Sequence, residues 1–351
     1  MTRRTIRLAG VAALCGAAAT ATAAQGSNVT LYGRVVAGVD VQTNVQTTDG
    51  GSGTLWRGAD NQWGTSMFGL QGTEDLGGGL KGLFHLESGF GAAKGKTNGD
   101  ALFNRRAYIG LQGGWGKLTM GKNQPIADAL WALDPTGQQF IGSATLVRGR
   151  NWQGHDNMVA YETPNLGGFS ALALTSLGEQ PGSASKLRKD ALSLTYTAPA
   201  FELRAIYDVA RDANGKYSDL FNTSKELTLG GTLSIRDFKL FAGYENLSAP
   251  DSPAGAPTKA NHFWLGANYQ LTPALTLIGA FYRVMVNRGG GNANLYMLGA
   301  NYNLSKRTLL YASVGTVQNS ANANFSVEAT NNNPAPGRNQ LGAYTGIAHS
   351  F

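Results

Sequence analysis

The sequence predicts an all-β fold, a 16-stranded antiparallel transmembrane β-barrel, on three observations. Short segments with a two-residue apolar period run from Asn28 to the end of the chain. Seven short turns and eight long polar loops alternate between those segments. The chain opens on a secretory leader and stops on an aromatic, Phe351. The 48 glycines, the 15% charged fraction and a slightly negative mean hydropathy do not fit a helical membrane protein. Beyond the first two dozen residues no apolar run approaches the roughly 18–20 residues that a spanning helix needs. Lipid admits only helices or closed barrels, because every backbone polar group must find a partner within the protein.

The leader comes first. Arg3, Arg4 and Arg7 form a positive start, Leu8–Ala19 an apolar centre, and small residues follow at Thr20–Ala24. Cleavage is expected after Ala23 or Ala24, leaving residues 1–24 as a signal peptide and 25–351 as the barrel. The single cysteine, Cys15, falls inside the leader, and the preceding Leu14 does not suit lipidation. The mature chain then holds no thiol, no disulfide and no cysteine-based metal site. Its 26 basic and 22 acidic residues, after loss of three of the 29 Lys and Arg, give a net charge of +4. No basic cluster with interleaved aromatics points to nucleic acid.

The first strand, Asn28–Asp40 (NVTLYGRVVAGVD), places Val29, Leu31, Val35, Ala37 and Val39 on one parity. Thr30, Tyr32, Arg34 and Asp40 take the other. In Leu227–Ile235 the same pattern sets Leu227, Leu229, Leu233 and Ile235 against Thr228, Thr232 and Ser234. Successive strand side chains point to opposite faces, so a greasy outside and a wet inside follow, as in a pore. The short turns fall at Glu74–Leu80, Gly113–Gly116, Thr163–Gly168, Ala198–Ala200, Arg236–Asp237, Thr272–Pro273 and Asn303–Lys306. Their Gly, Pro, Asn and Asp tolerate turn dihedrals. The long loops fall at Gln42–Asn61, Gly91–Asp100, Lys122–Asn151, Gly178–Asp190, Asp212–Ser224, Ser248–Ala260, Asn287–Asn292 and Gln318–Arg338. Sixteen strands of about nine to thirteen residues suffice to cross a bilayer at a tilt. Phe68, Phe84, Tyr244, Tyr269 and Tyr302 stand where interface aromatics belong. A soluble sandwich or propeller is disfavoured by the lack of a blade-length repeat or a second sheet.

With these stretches the chain resembles the general-diffusion porins of β-proteobacteria, the Burkholderia, Bordetella, Comamonas and Neisseria type. The resemblance rests on NVTLYGRVVAGVD (Asn28–Asp40), FGLQGTEDLGGGLKGLFHLESGF (Phe68–Phe90), LFNRRAYIGLQGGWGKLTMGK (Leu102–Lys122), YETPNLGGFS (Tyr161–Ser170) and YNLSKRTLLY (Tyr302–Tyr311). It departs at Gln71, Ala348 and Ser350, where the family usually carries basic residues, and at GKNQP (Gly121–Pro125). These departures touch pore charge, not fold. The resemblance implies an outer-membrane homotrimer among lipid and lipopolysaccharide, passing small hydrophilic solutes. The ending at Phe351 looks like the signal read by the barrel-assembly machinery.

The resemblance also implies that the third long loop, Lys122–Asn151, folds into the lumen. Its apolar residues (Ile126, Ala129, Leu130, Trp131, Leu133, Phe140, Ile141) point the same way, since a solvated loop does not need them. Ala127–Leu133 is expected to form a short helix stopped before Pro135. Asp128 and Asp134 would then present acid across a constriction from Arg34, Lys81, Arg105, Arg106 and Lys122. Arg148 and Arg150 lie on the return of the loop. Charge rings of this kind select ions. Two unit charges ~10 Å apart in water interact by only ~0.4 kcal/mol, further reduced by salt, so a weak anion preference is expected.

Two other functions are open: a channel selective for an organic anion or a sugar, and a loop-mediated adhesin or receptor. Enzyme readings are poor. His155, Asp156 and Asn157 loosely resemble the His and Asn of the outer-membrane phospholipase barrel, without a matching serine. Gly91–Thr97 (GAAKGKT) is one residue short of a phosphate loop. His85, His155, His262 and His349 show no ligand spacing, and no cofactor or metal is expected.

Overall fold

The computed structural model describes residues 28–351. The signal-peptide expectation lies outside them. One antiparallel sheet closes on itself, because β1 (Asn28–Gln46) pairs with the last strand, β18 (Gln340–Ser350), from Arg34↔Ser350 to Gln42↔Gly342. On its other side β1 pairs in two halves, with β2 (Ser52–Asp60) and with β3 (Ser66–Gly77). These halves form one crossing strand, broken by an inward excursion at 61–65. β4 (Leu80–Gly91) follows, and β5 (Lys96–Thr97) is only a two-residue arm of the next loop. The shortest walls are β6 (Arg106–Gly113), β7 (Gly116–Asn123), β8 (His155–Glu162) and β9 (Phe169–Ser176). Then come β10 (Lys189–Thr197), β11 (Phe201–Ala210), β12 (Lys225–Ile235), β13 (Phe238–Ser248) and β14 (Lys259–Gln270). β15 (Leu275–Val286), β16 (Gly291–Asn303) and β17 (Thr308–Asn319) complete the circuit. Sixteen strands therefore cross the wall, each paired with its sequence neighbours. A closed wall leaves no edge with unpaired backbone groups.

The alternation sorts as the sequence predicts. Leu227, Leu229, Leu233 and Ile235 are exposed on the outer wall, whereas Glu226, Thr228 and Thr232 are buried inside. Tyr244, Phe68 and Tyr302 are exposed outside as well, and Phe238 stacks on Tyr269 at 4.5 Å between centroids. The turn at 77–79 needs its three glycines, since φ is +85°, +61° and +80° there, a region open to glycine at little cost.

Two expected boundaries are corrected. The first long loop, expected over Gln42–Asn61, shrinks to 47–51, because the β1–β2 ladder continues as far as Gln46↔Ser52. Backbone pairing persists there although residues 42–54 hold too few apolar side chains to reveal a two-residue period. Strand lengths run from 8 to 19 residues rather than nine to thirteen, for the same reason at the long end. The four eight-residue strands are consecutive, two on either side of the loop between β7 and β8.

That loop carries α1 (Pro125–Trp131) and a 3-10 turn at Arg150–Trp152. The helix starts on Pro125, whose fixed φ suits a first helical turn, and ends ahead of Pro135. Leu133, Ile141, Leu146 and Val147 are fully buried with Trp264, Tyr282, Leu295 and Tyr311 of the wall. All four wall residues belong to the inward parity. The loop between β17 and β18 joins the same cluster through Ala323, Phe325 and Val327. Sequence reading missed this second inward loop, although Phe325 and Val327 gave the same signal as the apolar residues of the first.

Candidate functional site

The site grows from three neighbouring inward positions. Tyr32 of β1 donates to Glu87 of β4 at 2.6 Å and also meets His85. Glycine at 69 permits this, since a Cβ there would lie 2.6 Å from the Tyr32 hydroxyl. Glu87 is buried and accepts from Arg105 Nε at 2.7 Å, with Arg106 Nε at 3.4 Å. Arg106 reaches on to the loop, where Nη2 bonds both oxygens of Asp128 at 2.8 Å and Nη1 bonds Asn123. Arg105 also donates to Thr65 Oγ1 at 3.1 Å and stands 5.9 Å from the Trp131 ring. Arg34 donates to the Thr65 carbonyl at 3.1 and 2.9 Å and to Gln138 Oε1 at 2.8 Å. Three guanidiniums thus face two carboxylates, a local excess of one positive charge.

The loop is pinned on the opposite wall. Trp264 Nε1 donates to the Leu133 carbonyl at 2.8 Å, and Tyr282 donates to Asp134 at 2.7 Å. Ser313 and Tyr344 both donate to Gln139 Oε1, at 2.9 and 3.0 Å. Glycine notches receive its apolar side chains: a Cβ at Gly266 would meet Pro135 Cγ at 2.5 Å, and one at Gly315 would meet Ile141 at 3.0 Å. On the return, Arg150 is wholly buried and pairs with Asp208 at 2.7 Å and Glu226 at 3.3 Å. Arg148 lies over Phe325 and Phe221, at 5.0 and 5.7 Å, and donates to Asn324. The second inward loop is held by Arg57, which donates to Asp40 of β1 and to Glu328, each at 2.8 Å.

Of the residues picked from sequence, Arg34, Arg105, Arg106 and Asp128 come together. Three do not. Lys81 shares the parity of His85 and Glu87 but stands at the turn end, opposite Asp75 and Gln112, six positions from Glu87. That is about 20 Å at ~3.3 Å per residue. Lys122 shares the parity of the exposed Met120 and pairs with Asp156 on the loop-side rim. Asp134 does not present its charge: it is 3% exposed, and its oxygens accept from Thr136, Tyr282 and the Ser143 amide. Asp–x–Thr turn chemistry at 134–136 was legible, but a carboxylate in a loop looks the same from sequence whether it faces water or its own backbone.

Burial raises the Asp128 carboxyl above its ordinary range, against the pull of Arg106. Glu328 is pushed up to about 9, chiefly by burial and then by the neighbouring Asp40. His155 is buried and faces Asp208 at 3.6 Å rather than the lipid side.

A family model described as Gram-negative porin matches residues 10–322. The chain belongs to the Gram-negative porin family. An outer membrane porin of Bordetella pertussis is 30% identical over 292 residues, covering 70% of this chain and 75% of that one. Outer membrane porin protein 32 of Delftia acidovorans is 29% identical and covers 97% of this chain and 98% of its own. The solved structure of an anion-selective porin from Comamonas acidovorans superposes with a TM-score of 0.77 at 24% identity, over 93% of this chain and 100% of that one. This porin is a transmembrane barrel of the Gram-negative outer membrane, a passive channel for solutes. Family and fold point to a channel rather than an enzyme.

Proposed function

We propose that this porin is a homotrimeric general-diffusion channel with a weak anion preference. Its narrowest section lies between the loop that follows β7 and the wall cluster of Arg34, Arg105 and Arg106. The observation that carries this reading is the charge balance at that cluster, three guanidiniums against Glu87 and the partly exposed Asp128. Charged side chains lining a narrow pore bias which ions enter. The anion selectivity of the Comamonas acidovorans porin agrees in sign. A solved structure of the Vibrio cholerae outer membrane protein OmpT, similar in fold, is of a trimer form, in keeping with three-fold assembly.

One net charge acting across ~10 Å of water is worth ~0.4 kcal/mol, about a twofold bias, and salt lowers it. The preference is therefore a few-fold and not an exclusion. Arg105→Gln is the direct test. It leaves the Glu87 carboxylate shared by one guanidinium fewer, and the chloride-to-potassium permeability ratio is expected to fall about twofold in planar bilayers. An unchanged ratio would mean that the cluster does not set selectivity. The leader at residues 1–24, the lipopolysaccharide contact and the recognition of Phe351 by assembly machinery belong to the same reading. Deletion of Phe351 is expected to lower the yield of barrel inserted in the outer membrane.

A further inference from the structure

We propose that a chamber on the turn side of the loop is a binding subsite for small aromatic carboxylates. The inference rests on the channel reading and adds a class of solute to it. The chamber has a volume of about 380 Å³ and is bounded by Arg34, Trp63, Trp131, Lys239, Phe241 and Asn268 among others. That volume falls within the ~300–1,000 Å³ of small-molecule sites.

Its charge selects the sign. Arg34 donates only to the Thr65 carbonyl and the Gln138 amide oxygen, and among the described residues it has no carboxylate partner. Lys239 is exposed on the inward parity of β13, 5.1 Å from the Phe241 centroid, and likewise has no ion pair among the described residues. The nearby Glu87 is engaged by Arg105 and Arg106. Asp134 also borders the chamber, but it is 3% exposed and its oxygens accept from Thr136, Tyr282 and Ser143. Two cations without ion-pair partners and one internally hydrogen-bonded carboxylate therefore border the space, a net positive charge.

Its aromatic lining selects the body. Trp63 is fixed by donation from Nε1 to Asn301 Oδ1 at 3.0 Å, and its ring lies 5.2 Å from the Arg34 guanidinium. Trp131 belongs to α1 and Phe241 to β13, so rings enter from three separate elements. A carboxylate attracted to Arg34 or Lys239 would place an attached ring against these aromatic faces, where stacked and edge-on contacts are favourable. A sugar would leave both cations unused, and a bare inorganic anion would leave the rings unused.

The experiment compares benzoate with cyclohexanecarboxylate, equal in charge and similar in size, as inhibitors of the KCl current through the refolded full-length porin in planar bilayers. Benzoate is expected to lower the current saturably, with half-effect at a concentration at least about fivefold below that of cyclohexanecarboxylate, the scale of one aromatic contact. Trp63→Leu should abolish the difference between the two acids. Lys239→Gln, at an exposed position, should weaken both about equally, and Lys81→Gln at the turn end should change neither. Equal effects of the two acids on the wild type, or discrimination that survives Trp63→Leu, would overturn the inference while the conductance itself stands. A protein that passes no KCl current would overturn the channel reading and the subsite with it.

Discussion

At the scale of single residues, the geometry separates charges that face the channel from charges that hold the protein together. Asp128 is the acid of the first kind, since it is partly exposed and paired with Arg106 at 2.8 Å. Burial raises its carboxyl, so it protonates at a higher pH than an ordinary aspartate. Acidification should therefore remove negative charge from the proposed constriction before most surface carboxylates titrate. Anion preference is expected to rise as the pH falls from about 7 towards about 4, and Asp128→Asn should start high and lose most of that dependence. Asp134 is of the second kind, and Asp134→Asn should disturb loop order more than selectivity. Gly266 tests the notches: valine there would have to displace Pro135 or the Gly279 carbonyl, 2.5 and 2.8 Å from a Cβ. The loop is expected to detach, read as noisier and larger single-channel current.

At the scale of elements, two loops are held against the inner wall by different chemistry. The return of the first depends on Arg150, whose guanidinium lies among Asp208, Glu226 and Glu245. Arg150→Met would leave buried carboxylates without it, a loss of about 3–5 kcal/mol by the usual cost of breaking a buried pair. Faster hydrogen exchange over 140–152 is the expected result. The second loop depends on Glu328, raised from 4.5 to about 9 when docked. Docking thus favours the neutral acid: its contribution is complete below about pH 4.5 and is lost as the pH climbs towards about 9. Protease cleavage within 320–339 should increase between about pH 6 and about pH 9.5, and Glu328→Gln should flatten the change. These elements also mark where sequence reading stops. Alternation in Leu227–Ile235 placed strand faces correctly, because lipid and water impose a strict two-residue rule. Apolar residues in the loop after β7 announced an inward fold. The excursion at 61–65 that delivers Trp63, and the landing of Arg57 on Glu328, depend on contacts between segments far apart in the chain and leave no local pattern.

At the scale of the whole molecule, closure of β1 on β18 and the pairing of Phe351 with Gly33 join the first strand to the eighteenth. A barrel closed by β18 cannot be completed until β18 is present. Truncation after residue 339, which removes β18, is therefore expected to abolish heat-resistant barrel in detergent, not merely to lower its stability. Ion preference is a property of the assembled pore and is read from the zero-current potential of the refolded protein in a planar bilayer under a KCl gradient. A few-fold preference for Cl⁻, seen in conductance steps that come in threes, is the predicted result. A potential favouring K⁺ would contradict it.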